Sequence, residues 1–389
     1  MKTFFATQLF DGHALSDNMH IQVLDGYITA IKPASESDAP ADVELNGLVS
    51  AGFVDVQVNG GGGALFNDHP DHNTLKTMVK GHTRYGTTAM LPTLITDSHA
   101  KMEQAANAVA QAISQDTPGI AGIHFEGPYL SQGKKGIHPA KHVRPIKDSE
   151  LSIITRKDMG SVLLTLAPEN VSPDVIADLV KQGIVVSLGH SNADIDTVLA
   201  AIEAGAHCFT HLFNAMSGLS ARSPGMISAA LSENSVSAGL IVDFHHVHKQ
   251  NCKLAYQCLG PDRLMLVTDS MAHTGSDLQI LKWQKSLITR QGDKLTLEDG
   301  SIAGSCIDMA TSVRNMHQVI SSSHESSTQA ICDALKMASA TPARVAKLAD
   351  RGTLSVGARA DFVVLTDTFE VQTCWIGGAQ VYSENDSNK

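Results

Sequence analysis

Four side chains that could together perform metal-assisted hydrolysis each follow a short apolar segment of the chain. Glu126 ends the segment IHFE, His190 follows VVSLG, His211 follows CFT, and Asp269 follows LMLVT. Two imidazoles and one carboxylate are a typical ligand set for a catalytic zinc ion that keeps a fourth position open for water. Such an ion lowers the pKa of its water to about 7, which provides a hydroxide nucleophile at neutral pH. The pattern predicts a hydrolytic metal site, with Asp269 as the general base beside it.

Each of these residues also has a purely structural interpretation. A single histidine at a strand end is more often a hydrogen-bonded turn residue than a ligand, and Asp269 alone would suit an Asx turn or a cap. The metal interpretation depends on the four residues reaching the same place. If the apolar segments are parallel strands of a barrel, all their carboxyl ends lie on one face, and the residues converge there.

Further polar residues follow the same kind of segment. Gln57 and Asn59 follow the first apolar segment and would lie at the same mouth. The glycine-rich, basic loop at 133–139 comes shortly after Glu126, and its His138 could donate to a substrate carbonyl and stabilise charge on the oxygen. The lysines of this loop, Lys134 and Lys135, are better explained as solvated residues.

The region after His211 could bind an anion. Asn214 and Ala215 lie in a turn whose backbone N–H groups, with the guanidinium of Arg222, would suit a phosphate. A surface arginine is an equally good interpretation of Arg222. His246 lies in the run HHVH at 245–248, where neighbouring histidines cannot all point at one site, so we expect one functional member at most.

The elements that would position these residues are short strands alternating with amphipathic helices. This alternation predicts a (β/α)₈ barrel of the TIM type, whose strands are buried on both faces. A doubly wound open sheet is the alternative, but its dinucleotide-binding form would carry a GxGxxG fingerprint that is absent here. The predicted strands are 53–58, 87–91, 120–124, 162–166, 184–188, 207–210, 237–241 and 264–268.

The two terminal segments have a different pattern from the centre. Residues 1–50 contain strand-like pieces, two of them joined across Asp25-Gly26, and residues 350–389 return to strand character. Because each set alone would leave unpaired edges, we expect them to form one discontinuous β-sandwich domain. The barrel would then occupy 51–349.

Charge and composition restrict the possible partners. The formal charge of −11 argues against nucleic acid and anionic membranes, and the segments are too short for a membrane span. Six scattered cysteines without a CxxC pair are typical of a reduced, cytoplasmic enzyme. The N-terminal apolar stretch is too brief for a secretory signal, which agrees with that location.

Several motifs together resemble the N-acetylglucosamine-6-phosphate deacetylase family of the amidohydrolase superfamily. HFEGPYL (124–130), KKGIHP (134–139) and THLFNAMS (210–217) are the most specific. The resemblance extends over nearly the whole chain through AGFVDVQVNGGGG (51–63), SLGHS (187–191), RSPG (222–225), DFHHVH (243–248), LVTDS (266–270), AGS (303–305) and GTLSVGARADFVVL (352–365).

The resemblance implies a fold, a site and a reaction. It implies one divalent metal per subunit, held by Glu126, His190 and His211, with zinc as first choice and Fe²⁺ or Co²⁺ as alternatives. It also implies that Asp269 is catalytic, that His138 polarises the acetyl carbonyl, and that the protein is a homodimer. The remaining implied roles are sugar-phosphate contacts from Asn214, Ala215, Arg222 and His246, of which Arg222 or His246 could reach across the dimer, and a place near the acetyl pocket for Met309.

One departure from the wider superfamily bears on the metal count. Many amidohydrolases begin with an HxH pair on the first strand, but here the positions are Gln57 and Asn59. We therefore expect one metal rather than two. The entry to this strand has Ala51-Gly52 where Pro-Gly is more usual, which leaves the site unchanged.

The sequence predicts deacetylation of N-acetylglucosamine 6-phosphate to glucosamine 6-phosphate and acetate. One alternative is another amidohydrolase reaction, such as cyclic amide hydrolysis or deamination, which usually needs an HxH pair or a lysine-bridged metal pair. A second alternative is a barrel that binds a sugar phosphate without catalysis, which the complete set of ligands and Asp269 disfavours.

Overall fold

Eight parallel strands form the centre of this computed structural model, which describes residues 1–36, 40–323 and 326–386. Strands adjacent along the chain are neighbours in the sheet. A parallel bridge between Val58 and Ser270 joins the first strand to the last and closes the barrel. The strands are Phe53–Val58, Thr87–Ile95, Gly122–Glu126, Ser161–Leu166, Val185–Leu188, Cys208–Phe209, Ser237–Leu240 and Leu264–Leu266.

The barrel strands are apolar because both their faces are covered. All residues of the first three strands are buried. Their inner faces pack on each other inside the barrel, and their outer faces pack on helices. Each of the eight strands predicted from the sequence is present, and the predicted barrel fold is confirmed.

Helices follow the strands and cover the outside of the barrel. Four of the described helices begin at an Asp or Ser whose side chain accepts a backbone N–H of the first turn, namely Asp71, Ser98, Asp194 and Asp308. Such caps stabilise helix starts by about 1 kcal/mol each. The helices are His72–Thr83, His99–Ser114, Asp148–Ile154, Pro173–Lys181, Ile195–Glu203, Met226–Ser232, Lys249–Arg263, Met309–Ile320, Ser327–Ala338 and Ala340–Val345. None of the described helices combines the length and apolar character that a membrane crossing requires.

The terminal segments form a separate seven-stranded sheet, as the sequence predicts. The two halves join where Phe362–Leu365 pairs antiparallel with the end of Val43–Ala51. This pairing removes the open edges that either half would have alone. The other strands are Lys2–Phe10, Leu15–Leu24, Tyr27–Pro33, Val371–Ile376 and Ala379–Ser383. The domain limits at 50/51 and 349/350 stay predictions, and residues 37–39, 324–325 and 387–389 within the predicted domains lie outside the described part.

A small three-stranded sheet lies beside the barrel mouth. Its strands are Ile280–Trp283, Ser286–Gln291 and Lys294–Thr296. The indole N–H of Trp283 donates to the carbonyl oxygen of Ile137 at 3.3 Å. The sheet thereby holds the loop that carries His138.

Candidate active site

A cavity of about 230 Å³ opens at the carboxyl ends of the barrel strands. The strands are parallel, so residues that follow them along the chain face the same opening. Nine of the predicted site residues line this cavity: Asn59, Glu126, His138, His190, His211, Asn214, Ala215, His246 and Asp269.

Three donor atoms meet at the bottom of the cavity and form what we call the ligand cluster, consisting of Glu126, His190 and His211. Glu126 Oε1 lies 3.1 Å from the Nε2 atom of each histidine, and the two Nε2 atoms are 2.9 Å apart. All three residues are buried. In an ideal tetrahedral zinc site the ligand atoms would be roughly 3.3 Å apart, close to the spacing here.

The hydrogen bonds around the cluster favour a cation at its centre. His190 Nδ1 donates to the carbonyl oxygen of Lys134 at 2.8 Å, because a carbonyl can only accept. In the neutral ring, Nε2 therefore carries a lone pair that faces the carboxylate oxygen of Glu126. Two lone pairs at this distance repel each other unless a positive ion lies between them, so the donor set fits a divalent metal.

His138 lies next to the cluster. Its Nε2 is 3.9 Å from Glu126 Oε2, and Glu126, His138 and His190 could also bring three ligand atoms within 4.8 Å. The set containing His211 is tighter, with atoms 2.9–3.1 Å apart, which leaves His138 beside the cluster. His138 Nδ1 lies 3.3 Å from the backbone nitrogen of Thr96 and 2.9 Å from Thr96 Oγ1, and where Nδ1 accepts from these groups the proton of the neutral ring is on Nε2. Burial lowers the pKa of His138 well below its ordinary value, which keeps the ring neutral.

Two side-chain amides hold the carboxylate of Asp269. Asn59 Nδ2 donates to Asp269 Oδ1 at 2.7 Å, and Gln57 Nε2 donates to the same oxygen at 3.2 Å. Gln57 Nε2 also lies 3.2 Å from Glu126 Oε1. Gln57 and Asn59 therefore connect Asp269 to the ligand cluster.

Asp269 has an environment suited to proton transfer. Burial raises the pKa of this carboxyl to about 6, and the negative charge of Glu126 acts in the same direction. A carboxyl with a raised pKa accepts and returns a proton near neutral pH more readily than an ordinary aspartate. A cation in the ligand cluster would oppose the rise.

The backbone at three of these residues is unusual. The φ angles of His190, His211 and Asp269 are 49°, 34° and 50°, in the left-handed region that residues with a Cβ rarely adopt. Each residue comes within three positions of the end of its barrel strand. The left-handed turn ends the extended chain and directs the side chain to the barrel axis, and such strain is frequent at functional sites.

The histidines at 245–248 have three different environments. His245 is exposed and pairs with Asp293, at 2.8 Å between His245 Nε2 and Asp293 Oδ1. His248 is the N-cap of the helix Lys249–Arg263. His246 is the member of this run that lines the cavity.

Three predicted site residues do not line the cavity of this chain: Gln57, which contacts Glu126 and Asp269, and also Arg222 and Met309. Arg222 is exposed on the loop after residue 217. Met309 begins the helix Met309–Ile320 and is fully buried in the main hydrophobic core. Ile302 and Gly304, from the segment before Met309, line the cavity instead.

Sequence reasoning missed two buried carboxylates near the site. Asp55 lies two residues before Gln57 on the same strand face, and its Oδ2 accepts a hydrogen bond of 2.5 Å from Thr268 Oγ1. Asp243 follows the seventh strand and contacts His246. The available signals for these residues were an acidic residue within the apolar run FVDVQV and another acidic residue at a strand end.

The comparisons with known proteins agree with this geometry. The amidohydrolase family profile matches residues 48–381. An N-acetylgalactosamine-6-phosphate deacetylase of Shewanella sp. (strain ANA-3) is 44% identical over 372 residues, covering 95% of this chain and 93% of the relative. An N-acetylglucosamine-6-phosphate deacetylase of Haemophilus influenzae is 33% identical, covering 88% of this chain and 90% of the relative.

A solved structure is similar to this protein over nearly the whole length of both chains. The crystal structure of an N-acetylglucosamine-6-phosphate deacetylase from Pasteurella multocida superposes with a TM-score of 0.91 at 32% identity. The alignment covers 97% of this chain and 99% of that one. Both the barrel and the terminal sheet are therefore shared.

Proposed function

Starting from the fact that this chain belongs to the amidohydrolase family, we propose that it removes the acetyl group from N-acetylglucosamine 6-phosphate. The products are glucosamine 6-phosphate and acetate, a step of amino-sugar catabolism. The observation that carries the proposal is the meeting of Glu126, His190 and His211 beside Asp269 in one cavity. Relatives and a solved structure named as hexosamine-phosphate deacetylases support it.

The ligand cluster would hold one divalent ion. When bound, such an ion supplies a Lewis acid and a water of lowered pKa. Zinc suits two imidazoles and a carboxylate, and Fe²⁺ and Co²⁺ suit the same donors. Because Gln57 and Asn59 are amides that already bond to Asp269, they support one metal rather than two.

His138 would bind the acetyl carbonyl. Its Nε2–H faces the cluster and can donate to the carbonyl oxygen, where negative charge develops as the carbon becomes tetrahedral. Because the ring is neutral, it keeps its proton while stabilising the charge. His138 thus orients and polarises the amide.

Asp269 would move the proton. As water oxygen bonds to the carbonyl carbon, Asp269 accepts one water proton. When the C–N bond breaks, Asp269 returns that proton to the leaving amine, and the free carboxylate is restored. Asn59 and Gln57 keep the accepting oxygen in place through their hydrogen bonds.

The remaining residues would bind the sugar phosphate. Asn214, Ala215 and His246 line the cavity above the cluster. Arg222 is exposed on its own chain, and in the proposed homodimer Arg222 of the partner subunit would reach the phosphate. Met309 would act only from behind the cavity wall, near the acetyl pocket. All six cysteines are unpaired, which supports a cytoplasmic location.

N-acetylgalactosamine 6-phosphate is the second candidate substrate. The relative that is 44% identical carries that name. The two sugars differ only in the configuration at C4, far from the amide, so the same chemistry serves both.

The experiment compares both sugar phosphates on the purified protein. We expect acetate and new primary amine to form in equal amounts. The epimer with the higher kcat/KM is the preferred substrate. Unphosphorylated N-acetylglucosamine should react more slowly, because phosphate contacts position the amide. Absence of acetate from both phosphates, in protein with one metal per chain, would refute the deacetylase proposal.

A further inference from the structure

Asp243 is a buried carboxylate, and both of its oxygens accept hydrogen bonds at or beside His246. Its Oδ1 accepts the backbone N–H groups of His245 and His246, at 2.9 and 2.8 Å. Its Oδ2 accepts a hydrogen bond of 2.6 Å from His246 Nδ1. The side chain of Asp243 is 5% exposed and that of His246 is 10% exposed, so water has little access to the pair.

These contacts favour the ionised form of Asp243. Burial acts to raise the pKa of this carboxyl, but the hydrogen bonds and charge of His246 together lower it below the ordinary value. A carboxylate that accepts three N–H bonds and faces Nδ1 fixes the ring orientation of His246. Because Nδ1 donates to Asp243, Nε2 is the ring nitrogen left to meet a ligand, and only a ring with hydrogen on both nitrogens can donate from Nε2 to an anion.

Apart from Arg222 of the partner subunit in the proposed homodimer, an anionic substrate would depend on this chain's own residues for positive charge. The carboxylates of Glu126 and Asp269 line the cavity, whereas no lysine or arginine does so in the described part of the chain. An anionic substrate would meet repulsion from these carboxylates, apart from the charge of a metal at the bottom. His246 lies outside the ligand cluster, so it can offer positive charge to a group distant from the reacting amide.

We propose that Asp243 is a positioning residue that holds His246 as a charged donor for the phosphate of the substrate. The proposal rests on the proposed deacetylase function, and it concerns binding of the phosphate rather than the reaction of the amide. Asp243 does not touch the substrate and acts through the histidine.

The variant Asp243→Asn tests this with little change in shape. The amide oxygen can still accept the two backbone N–H groups, and the amide NH₂ then donates to His246 Nδ1. This leaves the ring in place but neutral. We expect kcat/KM for the sugar 6-phosphate to fall roughly ten- to a hundredfold, mainly through KM. The same parameter for the unphosphorylated sugar should change less than about twofold.

Two further variants separate this role from a general structural one. Asp293→Asn is the matched control, because Asp293 makes the corresponding contact to His245 outside the cavity, and it should behave as the wild type. His246→Asn should show the same loss as Asp243→Asn, and the double variant should be no worse than His246→Asn. The proposal is overturned if kcat/KM falls equally for the phosphorylated and the unphosphorylated sugar. It is also overturned if the losses in kcat/KM of the single variants add up in the double variant.

Binding measurements keep this inference distinct from the proposed reaction. Calorimetric titration with glucosamine 6-phosphate and with glucosamine measures the phosphate contribution without turnover. We expect Asp243→Asn to lose roughly ten- to a hundredfold in affinity for the phosphate alone. If the wild type binds the phosphate but releases no acetate, the deacetylase proposal fails and the role of Asp243 is still decided by these affinities. Unchanged affinity in Asp243→Asn refutes the role.

Discussion

Asn59 donates a hydrogen bond of 2.7 Å to Asp269 Oδ1 and so connects the ends of the first and last barrel strands. The two residues are 210 positions apart in the chain. The amide of Asn59 thus fixes one oxygen of the carboxylate that lies beside the ligand cluster. If Asp269 is the base, as proposed, this contact orients it.

Replacement of Asn59 by alanine should therefore lower kcat more than it changes KM. A hydrogen bond to a charged group is worth about 1.5–3 kcal/mol, which corresponds to roughly 10- to 150-fold in rate. Steady-state kinetics on the preferred sugar phosphate measures the effect, with metal content determined on the same sample. Asn73→Ala, on an exposed helix surface, is the control. An unchanged kcat would show that the contact does not orient the base.

Asp269→Asn should retain the metal and lose most turnover. The amide has the same shape but cannot accept and return a proton, and general acid–base catalysis contributes about 10²–10⁴-fold. Single-turnover acetate release together with metal analysis checks both parts. Loss of the metal along with the activity would instead make Asp269 a ligand.

Removal of the metal should abolish activity and lower the thermal unfolding midpoint. A ligand that binds the native state alone stabilises it by mass action. The test is activity and unfolding with a chelator, followed by re-addition of Zn²⁺, Fe²⁺ or Co²⁺. Glu126→Gln should bind little metal, and its unfolding midpoint should not respond to zinc. Full activity after complete chelation would refute the metal site.

Asp55 should make stability depend on pH in a characteristic direction. Burial raises the pKa of its carboxyl from 3.8 to about 7. Between about pH 4 and 7 the unfolded chain loses this proton while the native state keeps it, so native stability falls as pH rises. The three-unit shift corresponds to an upper bound on the order of 4 kcal/mol.

Comparison with Asp55→Asn isolates that contribution. The variant cannot ionise at this position, so its stability relative to wild type should increase between pH 4.5 and pH 8. Urea unfolding of both proteins at the two pH values measures the difference, in which other titrating groups cancel. A difference that is the same at both pH values would mean that Asp55 has an ordinary pKa.

Local sequence patterns were sufficient to predict the strands and the residues at their ends. Val185–Leu188 is a mostly apolar run, and a glycine and His190 follow it, which indicates a buried strand and the turn after it. These signals extend over a few residues and are independent of the remaining chain. The joining of the two terminal segments into one sheet was also predictable, because unpaired strand edges are unfavourable.

Local patterns did not reveal which polar atoms contact each other. Asp55 was overlooked because an acidic residue in a strand has no partner until the strand that carries Thr268 closes the barrel beside it. Asp243 was not predicted because an acidic residue beside the run HHVH carries no local signal of which histidine it contacts. Its role depends on which histidine turns toward the cavity, and the turn conformation after the seventh strand decides that.

The sequence by itself determined the alternation of strands and helices and the identity of the residues that reach the barrel mouth, since both depend on short-range periodicity and parallel strand direction. Only the tertiary structure decided that Gln57 contacts both Glu126 and Asp269, and that Met309 lies in the core while Ile302 faces the cavity. The reason is that side-chain directions at strand ends depend on backbone angles and on barrel closure, which bring together residues more than 200 positions apart.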